Sequence, residues 1–307
     1  MSNVLLHEDA ILALRRLQLA GLKPDLVYLD PPYNVGVDFS AGVKSDSPRS
    51  RRNPTKGQVA YSDRWGGIDA FLSFLEETIV AVHQTMSARA LLWLHMDQRA
   101  IHDAKVICDR VFGRSAFRGE VIWAPGNGAR GKRGPAMTHQ TLLVYSRDPS
   151  AKALYTWNSE DPTLREPYAS TSLEMHFREL DSEGRRFRER KIGTKTYRYY
   201  ADQGRRLGSI WTDIPAMVAN TPIHQETTGY PTQKPERLLE RIILLSSNPG
   251  DLVCDPMCGS GTTLAVAARL RRPFIGIDQS PIAIDIAGQR LLGARVKFEA
   301  ELPTTLE

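Results

Sequence analysis

Apolar and polar positions along the chain follow one another in blocks typical of strands that alternate with helices. Short apolar runs predict strands at 25–29, 91–94, 121–123, 142–145, 251–254 and 274–277, with a short strand around Val296 and Phe298. Apolar residues at helical spacing predict helices at 10–20, 69–86, 98–111, 234–246, 262–270 and 281–292. This alternation predicts an α/β protein with a sheet of parallel type.

Two stretches lack this pattern. Residues 36–60 contain glycines, prolines and basic residues without apolar periodicity, and we predict a mobile basic loop there. Residues 147–209 are polar and rich in arginine, with ten basic and five acidic residues between 178 and 206. That surplus equals the formal net charge of the whole chain, +5. We therefore predict an insertion at 147–209 that divides one domain into 1–146 and 210–307.

Composition sets broad limits on the class of protein. The 307 residues are 41% hydrophobic, which is enough to bury a sizeable core. A net positive charge fits a polyanionic partner. Three cysteines predict neither a disulfide framework nor a metal site. The N-terminal residues lack a basic and apolar leader, and no apolar run is long enough to span a bilayer. We expect a cytoplasmic protein with no membrane partner.

A glycine turn follows the predicted strand 251–254. It begins at Asp255 and contains Gly259 and Gly261, which lack a Cβ and let the backbone approach a ligand closely. Asp278 ends the next strand, where a carboxylate can accept both hydroxyls of a ribose. Asp255 would repel a pyrophosphate but attract the ammonium group of an amino acid. The turn therefore favours S-adenosylmethionine over a dinucleotide, and a tight turn without a ligand is the alternative for the glycine pair alone.

A second motif, Asp30-Pro31-Pro32-Tyr33, follows strand 25–29. The exocyclic amine of a nucleobase is a weak nucleophile because its lone pair is delocalised into the ring. Hydrogen bonds from its two N–H groups to a carboxylate and a backbone carbonyl favour a tetrahedral nitrogen, and Asp30 with the Pro31 carbonyl suits these roles. Tyr33 can stack on a base that has left the duplex. An ordinary turn after a strand is the alternative for this motif alone.

The chain resembles the beta group of DNA amino-methyltransferases, in which the catalytic motif precedes the glycine motif. The residues that carry the resemblance, besides the two motifs, are Glu8-Asp9, Tyr61–Trp65, Phe112-Gly113, Glu120–Trp123, Trp211–Asp213 and Tyr230–Pro235. It covers nearly the whole chain. It implies a doubly wound, Rossmann-like, S-adenosylmethionine-dependent methyltransferase sheet with an inserted DNA-recognition segment. Glu8 stands where the family usually has glycine, and Met257 where phenylalanine is frequent.

The resemblance also implies roles for individual residues. The target amine would be held by Asp30, Pro31, Pro32 and Tyr33. The cofactor, S-adenosylmethionine, would be bound by Asp9, Thr232, Lys234, Asp255, Cys258, Gly259, Gly261, Thr262, Thr263 and Asp278. No metal is expected. Asp-Pro-Pro-Tyr usually accompanies N6-adenine in this family, whereas a serine in the first position usually accompanies N4-cytosine.

Basic residues in the loop and the insertion are predicted to contact DNA, because arginine and lysine neutralise phosphates and read guanine edges. They are Arg51, Arg52, Arg185, Arg186, Arg188, Arg190, Lys191 and Arg198. A solvated surface with no partner is the alternative for any one arginine run. The partners to consider by resemblance are double-stranded DNA, a cognate restriction endonuclease and a second copy of the chain.

The sequence predicts site-specific methylation of N6 of adenine in a flipped-out base. Three rival interpretations stay open. They are methylation of N4 of cytosine or of an RNA base, a noncatalytic DNA-binding subunit that keeps the methyltransferase fold, and a dehydrogenase.

Overall fold

The computed structural model describes residues 2–41, 58–126, 134–150, 155–217 and 226–302. These residues belong to two compact units, one made of Met1–Thr156 with Ser209–Glu307 and the other of Trp157–Gly208. The α-helices are α1 (Ala10–Leu19), α2 (Ile68–Thr85), α3 (Ile101–Phe112), α4 (Ser170–His176), α5 (Glu236–Ser246), α6 (Thr262–Arg269) and α7 (Pro281–Gly293). Short 3₁₀ helices lie at Arg114–Ala116, Pro162–Leu164 and Ala201–Gln203.

The strands of the first unit are β1 (Val4–His7), β2 (Leu26–Leu29), β3 (Asp38–Ser40), β4 (Val59–Ser62), β5 (Leu91–Met96), β6 (Phe117–Trp123), β7 (Gln140–Ser146), β13 (Ile210–Trp211), β14 (Val253–Asp255) and β15 (Phe274–Asp278). Those of the second unit are β8 (Arg165–Glu166), β9 (Glu179–Leu180), β10 (Arg186–Ile192), β11 (Lys195–Tyr200) and β12 (Arg205–Arg206). Among the residues with assigned structure, no helix has the length and apolar character needed to cross a membrane.

One eight-stranded sheet organises the first unit, in the order β1-β15-β14-β2-β5-β7-β6-β13. Neighbouring strands are parallel except at β7, which runs antiparallel to both β5 and β6. The predicted α/β class is confirmed, but the expected parallel-type sheet is mixed. No helix separates β6 from β7 among the described residues between them, so the chain returns along the sheet in the opposite direction.

Helices cover both faces of this sheet. Side chains alternate between the two faces along a strand, so Leu92 and Leu94 of β5 point to one face and Trp93 to the other. Leu92 and Leu94 pack in the core with residues of α1, α2 and α3. Trp93 donates to Ser246 Oγ of α5 at 2.8 Å. The unit is therefore doubly wound, as predicted from the resemblance.

Three local predictions need correction. The buried strand β1 was not predicted, and the strand expected around Val296 and Phe298 is reduced to an isolated bridge between Val4 and Glu299. In the segment predicted as a mobile loop, residues at its two ends pair as the β3–β4 hairpin. Residues 42–57, with Arg51 and Arg52, lie outside the described residues.

The second unit is built around an antiparallel sheet in the order β11-β10-β9, and a two-stranded sheet pairs β12 with β8. Its interior is aromatic and includes the buried Phe177 and Phe187. The boundaries of this unit, 157–208, differ from the predicted insertion because residues 147–156 belong to the first unit. Apolar residues are scarce here, and arginines fill part of the space between aromatic rings, as described below.

Candidate active site

Acidic side chains lie at the carboxyl ends of five neighbouring parallel strands in the first unit. Along the order β1, β15, β14, β2 and β5, they are Asp9, Asp278, Asp255, Asp30 and Asp97. All five line one cavity of about 540 Å³. The carboxyl edge of a doubly wound sheet is where loops diverge and leave room for a ligand. The fold therefore brings both sequence motifs to one cavity.

The glycine turn has the geometry that its sequence predicts. Gly259 and Gly261 adopt φ values of 50° and 71°, in the region that favours glycine. A Cβ on Gly259 would lie 3.0 Å from the ring of Tyr230, and one on Gly261 would lie 2.8 Å from the Cβ of Ala287. Gly259 faces the cavity, whereas Gly261 does not line it and instead lets α7 approach the turn.

Two carboxylates flank this turn. Asp278 accepts the Gly259 N–H on Oδ2 at 2.9 Å and the Ser280 N–H on Oδ1 at 2.8 Å. Burial raises the pKa of Asp278 even though both hydrogen bonds oppose the shift. Burial raises the pKa of Asp255 to about 7, against bonds from Thr263 and the Met257 amide and with help from the charges of neighbouring carboxylates. Burial thus disfavours the charged form of both carboxylates, and a cationic ligand would offset that cost.

The carboxylate of Asp30 is held from both sides. Tyr33 Oη donates to Oδ1 at 2.5 Å, and the Nζ of Lys234 donates to Oδ2 at 2.5 Å. Lys234 is buried, and its Nζ lies 5.3 Å from the centre of the Tyr33 ring. Burial and the nearby charge of Asp30 raise the pKa of Tyr33 well above its ordinary value, so the phenol stays protonated and keeps donating. The acceptor oxygens are therefore fixed in orientation.

The segment that carries Lys234 is fastened over the glycine turn by an aromatic stack. Phe39 of β3 stacks on Tyr61 of β4 with ring centres 4.9 Å apart, and Tyr61 stacks on Tyr230 at 6.4 Å. The Tyr61 hydroxyl lies 3.3 Å from Oγ1 of Thr232, whose φ is 58°. The β3–β4 hairpin therefore contacts the same segment that contributes Lys234 to the carboxylate of Asp30.

A buried histidine with two polar partners lies on the strands next to the Asp30–Tyr33 motif. His95 of β5 is fully buried, with Nδ1 2.7 Å from the Tyr28 hydroxyl and Nε2 2.8 Å from Oε1 of Gln140. Because Oε1 can only accept, Nε2 carries the proton and Nδ1 accepts from Tyr28. Burial, together with the charge of Lys234, lowers the pKa of His95 to about 3. The imidazole is therefore neutral at physiological pH and supports the strand next to the motif.

Comparison with known proteins identifies the family. Residues 24–289 match the family model described as DNA methylase, which groups N6 and N4 methyltransferases. The chain belongs to the N6/N4 DNA methylase family. The resemblance predicted from the two motifs is thereby confirmed.

Curated relatives and solved structures match the methylase along most of its length. It is 28% identical to the type II methyltransferase M.EcaI of Enterobacter cloacae, over 100% of this chain and 73% of the relative. It is 26% identical to the DNA adenine methyltransferase YhdJ of Escherichia coli K12, over 98% of this chain and 86% of the relative. The crystal structure of the M1.HpyAVI-SAM complex superimposes with a TM-score of 0.56 at 19% identity, covering 94% of this chain and 98% of that one.

Most of the predicted site residues of the methylase lie together. The cavity is lined by Asp9, Asp30, Pro31, Pro32, Tyr33, Thr232, Lys234, Asp255, Cys258, Gly259, Thr262, Thr263 and Asp278. Asp9 also caps α1, since its Oδ1 accepts the Ile11 and Leu12 N–H groups. Its free oxygen remains available to the cavity.

Sequence reasoning missed three residues that shape the cavity of the methylase. Asp97 lines it next to Asp30, and Asp63 binds the loop that follows the catalytic motif. Arg290 of α7 donates to Thr262 Oγ1 at 2.7 Å and to the Ser260 carbonyl at 3.2 Å, which anchors the glycine turn. Asp97 has a sequence signal, since it lies three residues past the end of the predicted strand 91–94. Arg290 has none because its partner turn is remote in sequence.

The predicted DNA-contacting arginines of the second unit separate into two groups. Arg185 pairs with Asp202 at 3.0 Å, Arg198 pairs with Glu189 at 2.8 Å, and Arg188 lies over the rings of Tyr168, Phe177 and Tyr199. These three arginines contact residues of their own unit and stabilise its fold. The other predicted residues here are Arg186, Arg190 and Lys191, which are exposed on β10 and pair with no carboxylate of this unit.

Proposed function

We propose that this methylase transfers a methyl group from S-adenosylmethionine to N6 of adenine in DNA. The observation that carries the proposal is the single cavity in which the glycine turn and the fixed carboxylate of Asp30 meet. YhdJ, which is named as a DNA adenine methyltransferase, is similar over almost the whole chain. The similarly folded M1.HpyAVI forms a complex with the same cofactor.

The acidic side of the cavity fits this cofactor chemically. Each oxygen of Asp278 accepts one backbone N–H, which leaves a lone pair on each for the two hydroxyls of a ribose. Asp255 would bind the ammonium group, and the close approach of Tyr230 to Gly259 leaves the turn without room for any side chain. The sulfonium charge is stabilised in a cavity lined by five aspartates. The residues present therefore suit S-adenosylmethionine better than a dinucleotide.

The methyl transfer follows from the geometry at Asp30. When bound, S-adenosylmethionine supplies an electrophilic methyl group on a positively charged sulfur. Asp30 and the Pro31 carbonyl accept the two N–H groups of the adenine amine and direct its lone pair to that methyl carbon. Transfer of the methyl group from sulfur to nitrogen would place positive charge on the nitrogen, and Asp30 would accept the proton that the amine then releases. Tyr33 supplies an aromatic surface for the base.

Lys234 acts on this carboxylate rather than on the cofactor alone. The Nζ of Lys234, 2.5 Å from Oδ2, orients the carboxylate of Asp30, and each carboxylate oxygen retains a second lone pair for the substrate amine. The sequence predicted a cofactor-binding role for Lys234. Its position adds a direct contact to the catalytic carboxylate.

The test is transfer of labelled methyl from S-adenosylmethionine to unmethylated DNA, followed by digestion and nucleoside analysis. We expect N6-methyladenine with the wild type and a rate about 10²–10³-fold lower for Asp30→Asn, because the carboxylate both accepts the amine and takes its proton. Asp25→Asn is the matched control at the opposite end of β2, where Asp25 pairs with Arg89. N4-methylcytosine as the product would contradict the adenine assignment, and no methylated base would contradict the reaction.

We also propose that the second unit, residues 157–208, contacts the DNA substrate. The β10–β11 hairpin presents Arg190, Lys191 and Lys195 on its exposed end without ion pairs inside the unit. Exposed, unpaired cations contact phosphates readily because they release counterions from the DNA. Arg186 lies exposed at the start of the same strand.

Salt dependence tests this surface. Each phosphate contact contributes about 0.9 to the slope of log affinity against log salt concentration. Arg190→Gln and Lys191→Gln should each reduce the slope by about that amount for duplex DNA, measured by fluorescence anisotropy. Lys23→Gln, an exposed lysine at the amino end of β2, serves as the control and should keep the wild-type slope. An unchanged slope for the hairpin variants would contradict the assignment.

Several further features belong to the proposal. The target base is flipped out of the duplex, since a paired adenine cannot reach a cavity at the edge of a sheet. The methylase is of restriction-modification type. By family resemblance, we also propose that it has a cognate endonuclease and forms a homodimer. A cytoplasmic location fits a DNA substrate. The second unit supplies recognition of a specific site.

A further inference from the structure

Asp63 binds the backbone that follows the catalytic motif. Its carboxylate accepts hydrogen bonds from three consecutive amides, those of Tyr33 at 3.1 Å, Asn34 at 2.9 Å and Val35 at 2.9 Å. The side chain lies at the end of β4 and is 1% exposed. No other side chain in the described part of the chain is shown to accept from three consecutive backbone amides.

Two further contacts fix this carboxylate. The indole N–H of Trp65 donates to Oδ1 at 2.9 Å, and Trp65 itself packs against Phe74 with ring centres 4.4 Å apart. The main chain of Asp63 also bonds the same loop, because its carbonyl accepts the Gly36 N–H and its N–H donates to the Val37 carbonyl, both at 3.0 Å. The loop is therefore attached to Asp63 from residue 33 to residue 37.

The loop needs this attachment because of its own conformation. Asn34 has a φ of 56°, in the left-handed region that non-glycine residues adopt rarely and only when the surrounding structure holds them there. Three successive amides that point to one side have no strand or helix partner. An ionised carboxylate satisfies all of them, and such charge-assisted bonds are stronger than bonds between neutral groups.

The attachment reaches the reacting groups through one residue. Tyr33 is bound to Asp63 by its main-chain N–H and to Asp30 by its hydroxyl at 2.5 Å. A shift of the Tyr33 backbone would move both the aromatic ring and the donor that orients the Asp30 carboxylate. The bonds that Asp63 makes lie outside the glycine turn and do not involve Asp255 or Asp278.

We propose that Asp63 is a positioning residue for methyl transfer, acting through the backbone of Tyr33 on the orientation of Tyr33 and Asp30. The proposal rests on the proposed roles of those two residues in holding the adenine amine. Asp63 does not contact the reacting atoms. It fixes the loop whose side chains do.

Asparagine cannot replace this carboxylate. Oδ1 accepts from Asn34 and Trp65, and Oδ2 accepts from Tyr33 and Val35. An amide has one acceptor oxygen, so in either orientation of the new side chain two N–H groups would face an NH₂ donor. Asp63→Asn is therefore a change of one atom that breaks two of the four hydrogen bonds, at least one of them to the loop.

The experiment compares kcat, KM and cofactor affinity in Asp63→Asn and the wild type. A misplaced reacting group lowers the rate steeply, so we expect kcat to fall by about 10–100-fold while the Kd for S-adenosylmethionine changes by less than about threefold. Asp63→Glu keeps both oxygens but moves them by one methylene, and its kcat should lie between the two. Asp251→Asn is the matched control, a buried aspartate that binds the Asn248 amide at the amino edge of the sheet, and its kcat should match the wild type.

The outcomes separate the two proposals. A wild type that forms no methyladenine overturns the proposed function. If the wild type is active, Asp30→Asn is inactive and Asp63→Asn is unimpaired, only the positioning role of Asp63 is overturned. Parallel losses of cofactor affinity, kcat and folding stability in Asp63→Asn and Asp63→Glu would show a structural role and also overturn it. If Asp63→Asn does not fold, Asp63→Glu decides, since an unchanged kcat in that variant contradicts the proposal and a selective loss of kcat supports it.

Discussion

Replacing Asp255 by asparagine should stabilise the methylase at alkaline pH while weakening cofactor binding. Asp255 is 2% exposed, and burial raises its pKa from 3.8 to about 7. The folded state therefore holds this proton up to a higher pH than the unfolded chain does. Wild-type stability falls as the pH rises from about 4 to about 7, and the loss is complete above pH 7.

The size of the effect follows from the shift. One pKa unit corresponds to about 1.4 kcal/mol, so the raised pKa of Asp255 lowers the free energy of unfolding, relative to acid pH, by on the order of 4 kcal/mol above pH 7 and by about 1.5 kcal/mol at pH 5. Asparagine keeps an acceptor for the Met257 amide and does not ionise. The advantage of Asp255→Asn over the wild type should therefore grow by about 2–3 kcal/mol between pH 5 and pH 8.

Urea unfolding at the two pH values measures this difference. Asp285→Asn, which changes an exposed carboxylate on α7, is the control and should show no comparable pH-dependent gain. Added S-adenosylmethionine should stabilise the wild type increasingly from pH 6 to pH 8, because its ammonium group binds the ionised carboxylate, and should stabilise Asp255→Asn much less. A difference between Asp255→Asn and wild type that is the same at pH 5 and pH 8 would refute the reasoning.

Three further results are expected. Gly261→Ala places a Cβ 2.8 Å from the Cβ of Ala287 in a residue whose φ is 71°, so urea unfolding should show a free energy of unfolding about 1–3 kcal/mol lower than that of the wild type. A variant as stable as the wild type would contradict the close contact. Lys234→Met leaves the part-buried carboxylate of Asp30 without its cation, so denaturation should show a loss of about 1–3 kcal/mol in the free energy of unfolding together with slow methylation, whereas retention of both would exclude the pairing. The pKa of His95 is lowered from 6.5 to about 3, so the free energy of unfolding should fall by about 1.4 kcal/mol per pH unit as the pH drops below 6.5. Urea unfolding at pH 6.5 and pH 5.0 should show a smaller fall in His95→Gln. An equal fall in the variant and the wild type would contradict the prediction.

The sequence predicted more of the chemistry than of the packing. The positions of Asp30 and Asp255 after apolar strands indicated the edge at which they lie, and that edge carries the cavity. The boundaries of α1 and α7 were predicted within a residue. These features depend on neighbours in sequence, through side-chain periodicity, capping and the freedom of glycine.

The arginines of the insertion show that composition alone does not identify which residues contact a partner. Their number predicted a DNA-contacting surface, yet Arg185, Arg188 and Arg198 are engaged with partners inside the second unit. A charge run does not indicate which side chains meet a carboxylate or a ring after folding. Only the tertiary structure shows that Arg190 and Lys191 are exposed on the β10–β11 hairpin.

By itself, the sequence determined the α/β class, the two motifs and the chemistry that they favour, because each depends on a short stretch of chain. Only the tertiary structure decided the partners of the Asp30 carboxylate and of the loop that follows it. Lys234 lies 204 residues from Asp30, and Asp63 lies about 30 residues from the amides that it binds. Which strands are neighbours and how their loops meet is set by packing of the whole sheet, so no local pattern encodes these contacts.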